Sequence, residues 1–298
     1  MHLLKIPVVA LKEVFKMMDH HEIVLTALTS KRDASIMQSC TIKTPTEITF
    51  QFFKYYLNCQ IGIFNIRLCR YCRLDRNQNY HFDDESVHIH NTKCDEPTYR
   101  NFIERVVQIY YKPRVDLFLQ EQIRDVFGVE LIRLLNYGPL RSVDYDIRGN
   151  SPKCYKKVFN EAATLEYLNI RGSLPDNFRF SPSVSLRLDE LIINGSCDWI
   201  KLEDFMDCKN VRINPYCWKK MTSKTVKKFN LFFKKLKESE CRMEKFVYRG
   251  IMDSSVFLKV IRGLSKVHGS DSVEFTRKDL KKSRISWRID ALLMDPVY

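Results

Sequence analysis

Glycine is scarce in this chain, with nine residues in 298, and none of them falls into an arrangement that cradles phosphate. Neither GxGxxG nor GxxxxGK followed by Ser or Thr occurs, so the glycine-rich nucleotide loops are excluded. A GxSxG nucleophile elbow and an HExxH zinc pair are missing too, which removes the common signatures of hydrolases and zinc proteases. No run approaches the roughly 20 apolar residues that a membrane-spanning helix requires. Acidic residues are the scarcer charge: 36 Asp and Glu stand against 49 Lys and Arg, a formal net charge of +13.

That excess invites a nucleic-acid reading, which the stretch Thr222–Ser239 tests. Val226, Phe229, Phe232, Phe233 and Leu236 share one arc at about 100° per residue, and Lys224, Lys227, Lys228, Lys234 and Lys235 take the other. This is an amphipathic helix with a solvated lysine face, and the remaining charge is spread thinly. Nucleic acid is therefore disfavoured as a partner. The first residues, Met1–Phe15, are apolar, but Lys5, Pro7, Lys12 and Glu13 interrupt any signal-peptide core and no small-residue cleavage site follows. The ten cysteines are accordingly expected in a reducing compartment, cytoplasmic or nuclear. The sequon Asn194-Gly195-Ser196 carries no weight without secretion.

Leu4-Lys5-Ile6-Pro7 is an extended entry, because the residue before a proline is pushed out of the helical region. Leu11, Val14, Phe15 and Met18 then recur at helical spacing, with Lys12, Glu13 and Lys16 outside. Asp19 can cap a second helix whose apolar positions are Ile23, Val24, Leu25 and Leu28. Thr29 or Ser30 can cap a third, with Ile36 and Met37 inward. Such a module has too small a core to be stable alone and borrows stability from what covers it. The pattern Leu4-x-Ile6-Pro7, Leu11-x-x-Val14-Phe15-x-x-Met18, Glu22-Ile23 and Leu28-Thr29-Ser30-Lys31-Arg32 resembles an F-box. The resemblance implies docking on a Skp-type adaptor, and through it a cullin scaffold, by Leu4, Ile6, Pro7, Leu11, Val14, Phe15, Met18, Ile23 and Leu28. His20 and His21 fall between two of these helices and read as exposed polar spacing.

Residues 43–97 change to β-rich runs. Ile48–Phe52, Ile61–Leu68 and Val87–Ile89 predict strands of a small antiparallel sheet, with polar turns at Asp75–Gln78 and Asp83–Glu85. Cys69-Arg-Tyr-Cys72, followed by His88, His90 and Cys94, is the one group that suggests zinc. A single CxxC with irregular partners argues against it, so reduced thiols at a strand end, no metal and no cofactor are expected.

The rest of the chain repeats a unit, apolar-x-x-apolar-x-apolar. It occurs at Leu140-Val143-Tyr145, Leu165-Leu168-Ile170, Leu188-Leu191-Ile193, Cys208-Val211-Ile213 and Met243-Phe246-Tyr248, with Val115 and Leu117 in a less regular earlier copy. Helical patterns lie between: Val126–Asn136, a short one around Tyr155, Val158 and Phe159, a turn at Leu202–Met206, and one capped by Asp253. This is a leucine-rich-repeat rhythm, in which units that cannot bury their apolar faces alone stack with parallel strands. Asp271–Phe275 and Ile285–Ile289 read as two closing strands. The motifs Leu188-Asp-Glu-Leu-Ile-Ile-Asn, Leu202-Glu-Asp-Phe, Val211-Arg-Ile, Ser223 through Phe232 and Met243–Tyr248 resemble the type 2 F-box associated domain, which implies a substrate-recruiting role.

The expected architecture is α+β: a three-helix F-box (1–42), a small β-rich linker (43–97) and an α/β leucine-rich-repeat-like domain (98–298). Alternation within the strands turns Asp144, Asn169, Ile192, Arg212 and Val247 to one surface, with Asp146, Arg171, Asn194 and Arg249 one pleat beyond. Asp144, Asn169, Arg171, Arg212, Val247 and Arg249 are the candidate substrate-binding residues, and their mixed charge suits a protein partner. No catalytic residues are expected. Three readings remain open: a substrate receptor of a Skp–cullin–F-box ubiquitin ligase, an interaction module that binds the adaptor without ubiquitylation of its cargo, and a basic nucleic-acid-binding protein.

Overall fold

The computed structural model describes residues 7–29, 31–40, 46–69, 80–83, 86–90, 94–110, 112–120, 123–147, 152–172, 174, 178–195, 197–216, 221–265, 271–288 and 290–297. The chain is mixed α+β and helical at its N-terminus. It forms two compact units, Met1–Val143 and Asp144–Tyr298, divided inside the strand Leu140–Ile147.

The first unit opens with three ten-residue helices, α1 (Val8–Met17), α2 (His20–Thr29) and α3 (Lys31–Cys40). Strands β1 (Glu47–Phe52), β2 (Tyr56–Ile61), β3 (Phe64–Cys69), β4 (Tyr80–Asp83) and β5 (Ser86–His90) follow, then helix α4 (Glu96–Ile109), β6 (Arg114–Leu119), α5 (Asp125–Asn136) and β7 (Leu140–Ile147). Within this unit the strands neighbour one another in the order β6-β1-β2-β3-β5-β4. The sheet is mixed, not antiparallel as expected, since β1 runs parallel to β6 and β3 parallel to β5. The predicted strand Ile61–Leu68 is broken by a tight turn at Gly62-Ile63, where Gly62 has φ +61°. Two-residue hairpin turns need such left-handed backbone, which glycine supplies without steric cost. Ile63 sits 69% exposed at the tip although its type reads as strand. Helix α4, which the sequence reading passed over, starts on Asp95, whose carboxylate accepts from the Thr98 N–H, and buries Phe102, Ile103, Val106 and Ile109.

The second unit contains α6 (Pro152–Glu161), β8 (Tyr167–Gly172), β9 (Glu190–Gly195), a 3-10 turn (Leu202–Phe205), β10 (Asn210–Asn214), α7 (Ser223–Lys237), β11 (Lys245–Arg249), α8 (Ser254–Ile261), β12 (Ser272–Thr276), β13 (Lys282–Arg288) and β14 (Ala291–Pro296). Strands β8, β9, β10 and β11 are parallel neighbours in that order. Three closing strands follow where two were expected, and the unforeseen β14 sits antiparallel between β11 and β13. One face of these strands is the core: Leu168, Ile170, Leu191, Ile193, Val211, Ile213 and Phe246 are each at most 2% exposed. Phe246 meets Phe229, Phe232 and Phe233 of α7 with ring centroids 5.4–5.9 Å apart. Phe159 of α6 meets Phe180, Trp199 and Phe205 at 4.8, 5.8 and 6.1 Å. Each such pair adds about 0.5–1.5 kcal/mol beyond the burial of its area. The lysine side of α7 is only partly solvated: Lys224, Lys227 and Lys235 are exposed, whereas Lys228 and Lys234 are half-buried. Strands β8 and β9 end on paired glycines, and a Cβ at Gly195 would lie 1.8 Å from the Gly172 carbonyl oxygen, so no other residue fits.

Candidate interaction sites

Helix α1 divides its apolar residues between two faces. Leu11 and Phe15 are 2% and 5% exposed and point into the first unit, while Val14 is 43%, Val9 76% and Met17 86% exposed. At about 100° per residue, Pro7, Ala10, Val14 and Met17 share one outward arc beside the buried one. Glu13 and Lys16 form an ion pair at 2.8 Å on the same helix.

The other two helices hold α1 in place. Ile23, Val24, Ala27 and Met37 are buried. The Asp19 N–H donates to Glu22 Oε2 at 2.9 Å, a capping arrangement at the start of α2. At its far end the Arg105 guanidinium donates to the Leu28 carbonyl at 2.7 Å, where a cation also suits the helix dipole. His20 and His21 are half-buried rather than exposed. Both rings pack on Phe64, with centroids at 6.2 and 5.4 Å, and His20 Nδ1 lies 3.1 Å from the Tyr110 hydroxyl. Burial lowers the pKa of His20; the Asp19 charge opposes this and His21 reinforces it.

Of the nine residues named for adaptor binding, Leu11, Phe15 and Ile23 belong to the core of the unit, Met18 and Leu28 are half-buried, and Pro7 and Val14 are exposed. Leu4 and Ile6 lie outside the described residues. Ala10 and Met17 were missed; with Val14 they form an i, i+4, i+7 stripe that the stronger stripe beside it obscured.

In the second unit, the strand face opposite the phenylalanine core is open. Asn169, Ile192, Arg212 and Val247 are register partners across β8 to β11, as alternation predicted, and Arg171, Asn194 and Asn214 form the next row. Hydrogen bonds tie these rows together. Asp144 accepts from Asn169 Nδ2 at 2.8 Å and from Arg171 Nη2 at 2.8 and 3.0 Å. Asn169 Oδ1 accepts from Asn194 Nδ2 at 2.7 Å, and Asn194 Oδ1 from Asn214 Nδ2 at 2.8 Å. A carboxylate can only accept, so Asp144 sets the orientation of every amide in the ladder. Asn169 is 6% exposed and so supports its neighbours instead of facing solvent, whereas Arg171 and Arg212 have side chains 47% and 46% exposed. Arg212 lies 3.7 Å from Glu190. Val247 is half-buried and Arg249 exposed.

The cysteine chemistry differs from expectation at one point. Cys69 is disulfide-bonded rather than a reduced thiol. Cys72 lies outside the described residues, as does the His90 side chain, and Cys94 is half-buried and reduced. Among the described residues no group of three or more His, Cys, Asp or Glu side chains could hold a metal ion. Burial pushes the Cys197 and Cys208 thiols up to about 12, which keeps them protonated and unreactive. Among the described residues no helix is long and apolar enough to cross a membrane.

The F-box domain family matches residues 3–44, the stretch that contains α1, α2 and α3. The chain therefore carries an F-box domain at its N-terminus. No curated protein matches the chain, and no solved structure does.

Proposed function

We propose that the chain is the substrate-recognition subunit of a Skp–cullin–F-box ubiquitin ligase. The F-box match at residues 3–44 carries this reading, and the outward arc of Pro7, Ala10, Val14 and Met17 supports it. F-box domains bind Skp-type adaptors, and proteins that carry them are in general non-catalytic. Ubiquitin transfer is then the work of a recruited enzyme, with this chain supplying proximity. In this reading residues 1–42 bind the adaptor, 43–97 form a β-rich linker and 98–298 recruit a protein cargo in the cytoplasm or nucleus. The type 2 F-box associated likeness and the parallel run β8–β11 support a leucine-rich-repeat-like recruiting surface on the open face.

The test is co-purification of the full chain with a Skp-type adaptor. Changing Val14 and Met17 together to Asp should weaken the complex by about 2 kcal/mol or more, roughly thirtyfold, because both side chains sit on the exposed arc. The unfolding temperature should stay unchanged. Undiminished co-purification would remove the assignment. If the adaptor binds but a captured cargo acquires no ubiquitin in the reconstituted complex, the chain is an interaction module without a ubiquitylation role.

A further inference from the structure

An aromatic cavity of about 360 Å³ opens in the first unit. Phe52 and Phe127 form its floor, 2% and 4% exposed, and Tyr99 meets Phe52 edge to face with centroids 5.6 Å apart. Tyr55, 54% exposed, stands at the mouth with Lys54 Nζ 4.9 Å above its ring. Arg124, whose side chain is 79% exposed, stands there too and forms a two-bond ion pair with Glu96. Pockets that hold small ligands run from about 300 to 1,000 Å³, so this one is at the small end and suits a single aromatic group better than a cofactor.

Charge decides what accompanies that group. Aromatic walls next to a glutamate could form a cage for a methylated ammonium. Among the described residues Glu96 is the only acid lining the cavity; it is paired with Arg124, and Lys54 adds a positive charge at the mouth. A cationic ligand would be repelled, whereas a carboxylate beside the aromatic group would meet Lys54 directly. We infer that the cavity is a second binding site, taking an aromatic side chain of a polypeptide segment with an acidic residue next to it. Its lining residues all belong to the first unit, and none lies on α1.

The experiment is a fluorine NMR titration of the full chain with N-acetyl-4-fluorophenylalanyl-aspartate amide, its lysine counterpart, and N-acetyl-trimethyllysine amide. The aspartate peptide should show a saturable shift, and the lysine peptide should bind roughly tenfold more weakly or worse. Lys54→Glu should abolish that preference and Tyr55→Ala should weaken binding of both peptides. Both residues are exposed, so an unchanged unfolding temperature will show that the variants are folded. Absence of saturable binding, equal binding of the two peptides, unaltered binding in both variants, or tighter binding of trimethyllysine seen by competition would each overturn the proposal. None of these outcomes bears on adaptor co-purification.

Discussion

Leu11 and Val14 stand three positions apart on α1, and the same apolar character has different consequences at each. Leu11 is buried within the unit, so Leu11→Ala should cost about 2–5 kcal/mol of stability in urea denaturation. Any loss of adaptor binding in that variant would follow from unfolding, which is why Val14 and Met17 are the informative changes. His20 gives a pH dependence. Its pKa in the folded chain lies below the ordinary 6.5, so folding favours the neutral ring. Stability should be full above about pH 6.5 and fall as the pH drops through the lowered folded value. His20→Phe should flatten that decline, measured by thermal unfolding between pH 8 and pH 5. Asn169 is the middle of the amide ladder. Asn169→Ala leaves the Asn194 amide without its acceptor and removes one donor from Asp144, and should cost about 1–3 kcal/mol.

At the scale of elements, hydrophobic periodicity was legible wherever an element buries one continuous stripe. Helix α7 is the clearest case: Val226, Phe229, Phe232, Phe233 and Leu236 are the predicted arc and the observed buried set. Phe233→Ala should cost about 3–5 kcal/mol in urea denaturation, since its ring is fully buried against Phe246. The Asp253 cap of α8 was equally legible, and its carboxylate accepts from the Val256 N–H at 2.9 Å. Three elements were not. The run Ile61–Leu68 hid a hairpin because its turn residue Ile63 has strand character; only φ +61° at Gly62 reveals the reversal. Gly62→Ala should cost about 1–2 kcal/mol from backbone strain alone, since the space beside Gly62 is empty. Helix α4 has a recognisable start in Asp95-Glu96-Pro97-Thr98, but lies where the composition suggested a boundary between domains. Strand β14, Ala291–Pro296, follows the two expected closing strands and ends on an aspartate and a proline.

At the scale of the whole molecule, the net charge of +13 is dispersed and partly neutralised in place. Arg141 is held by Asp116 and Glu47, Arg284 by Glu274 and Arg242 by Asp189. Retention of duplex DNA in a mobility-shift assay should therefore be confined to low salt and vanish near 0.15 M, about the ionic strength at which dispersed charge contacts are screened. Salt-resistant retention would revive the nucleic-acid reading. On the open face, Arg212→Glu with Arg249→Glu should reduce cargo binding while adaptor binding and stability persist. Arg171 is left out of that pair because Asp144 already engages its guanidinium.

The sequence by itself determined the F-box pattern, the periodic apolar positions of the repeated unit and which strand residues share a face, because 3.6- and 2-residue periods are local properties. It could not divide Leu11 from Val14, orient the amides between Asp144 and Asn214, or place β14 beside β11. Those outcomes depend on which surfaces meet after the chain closes. Burial, the direction of a hydrogen bond and the order of strands are set by neighbours distant in sequence, and only the tertiary structure supplies them.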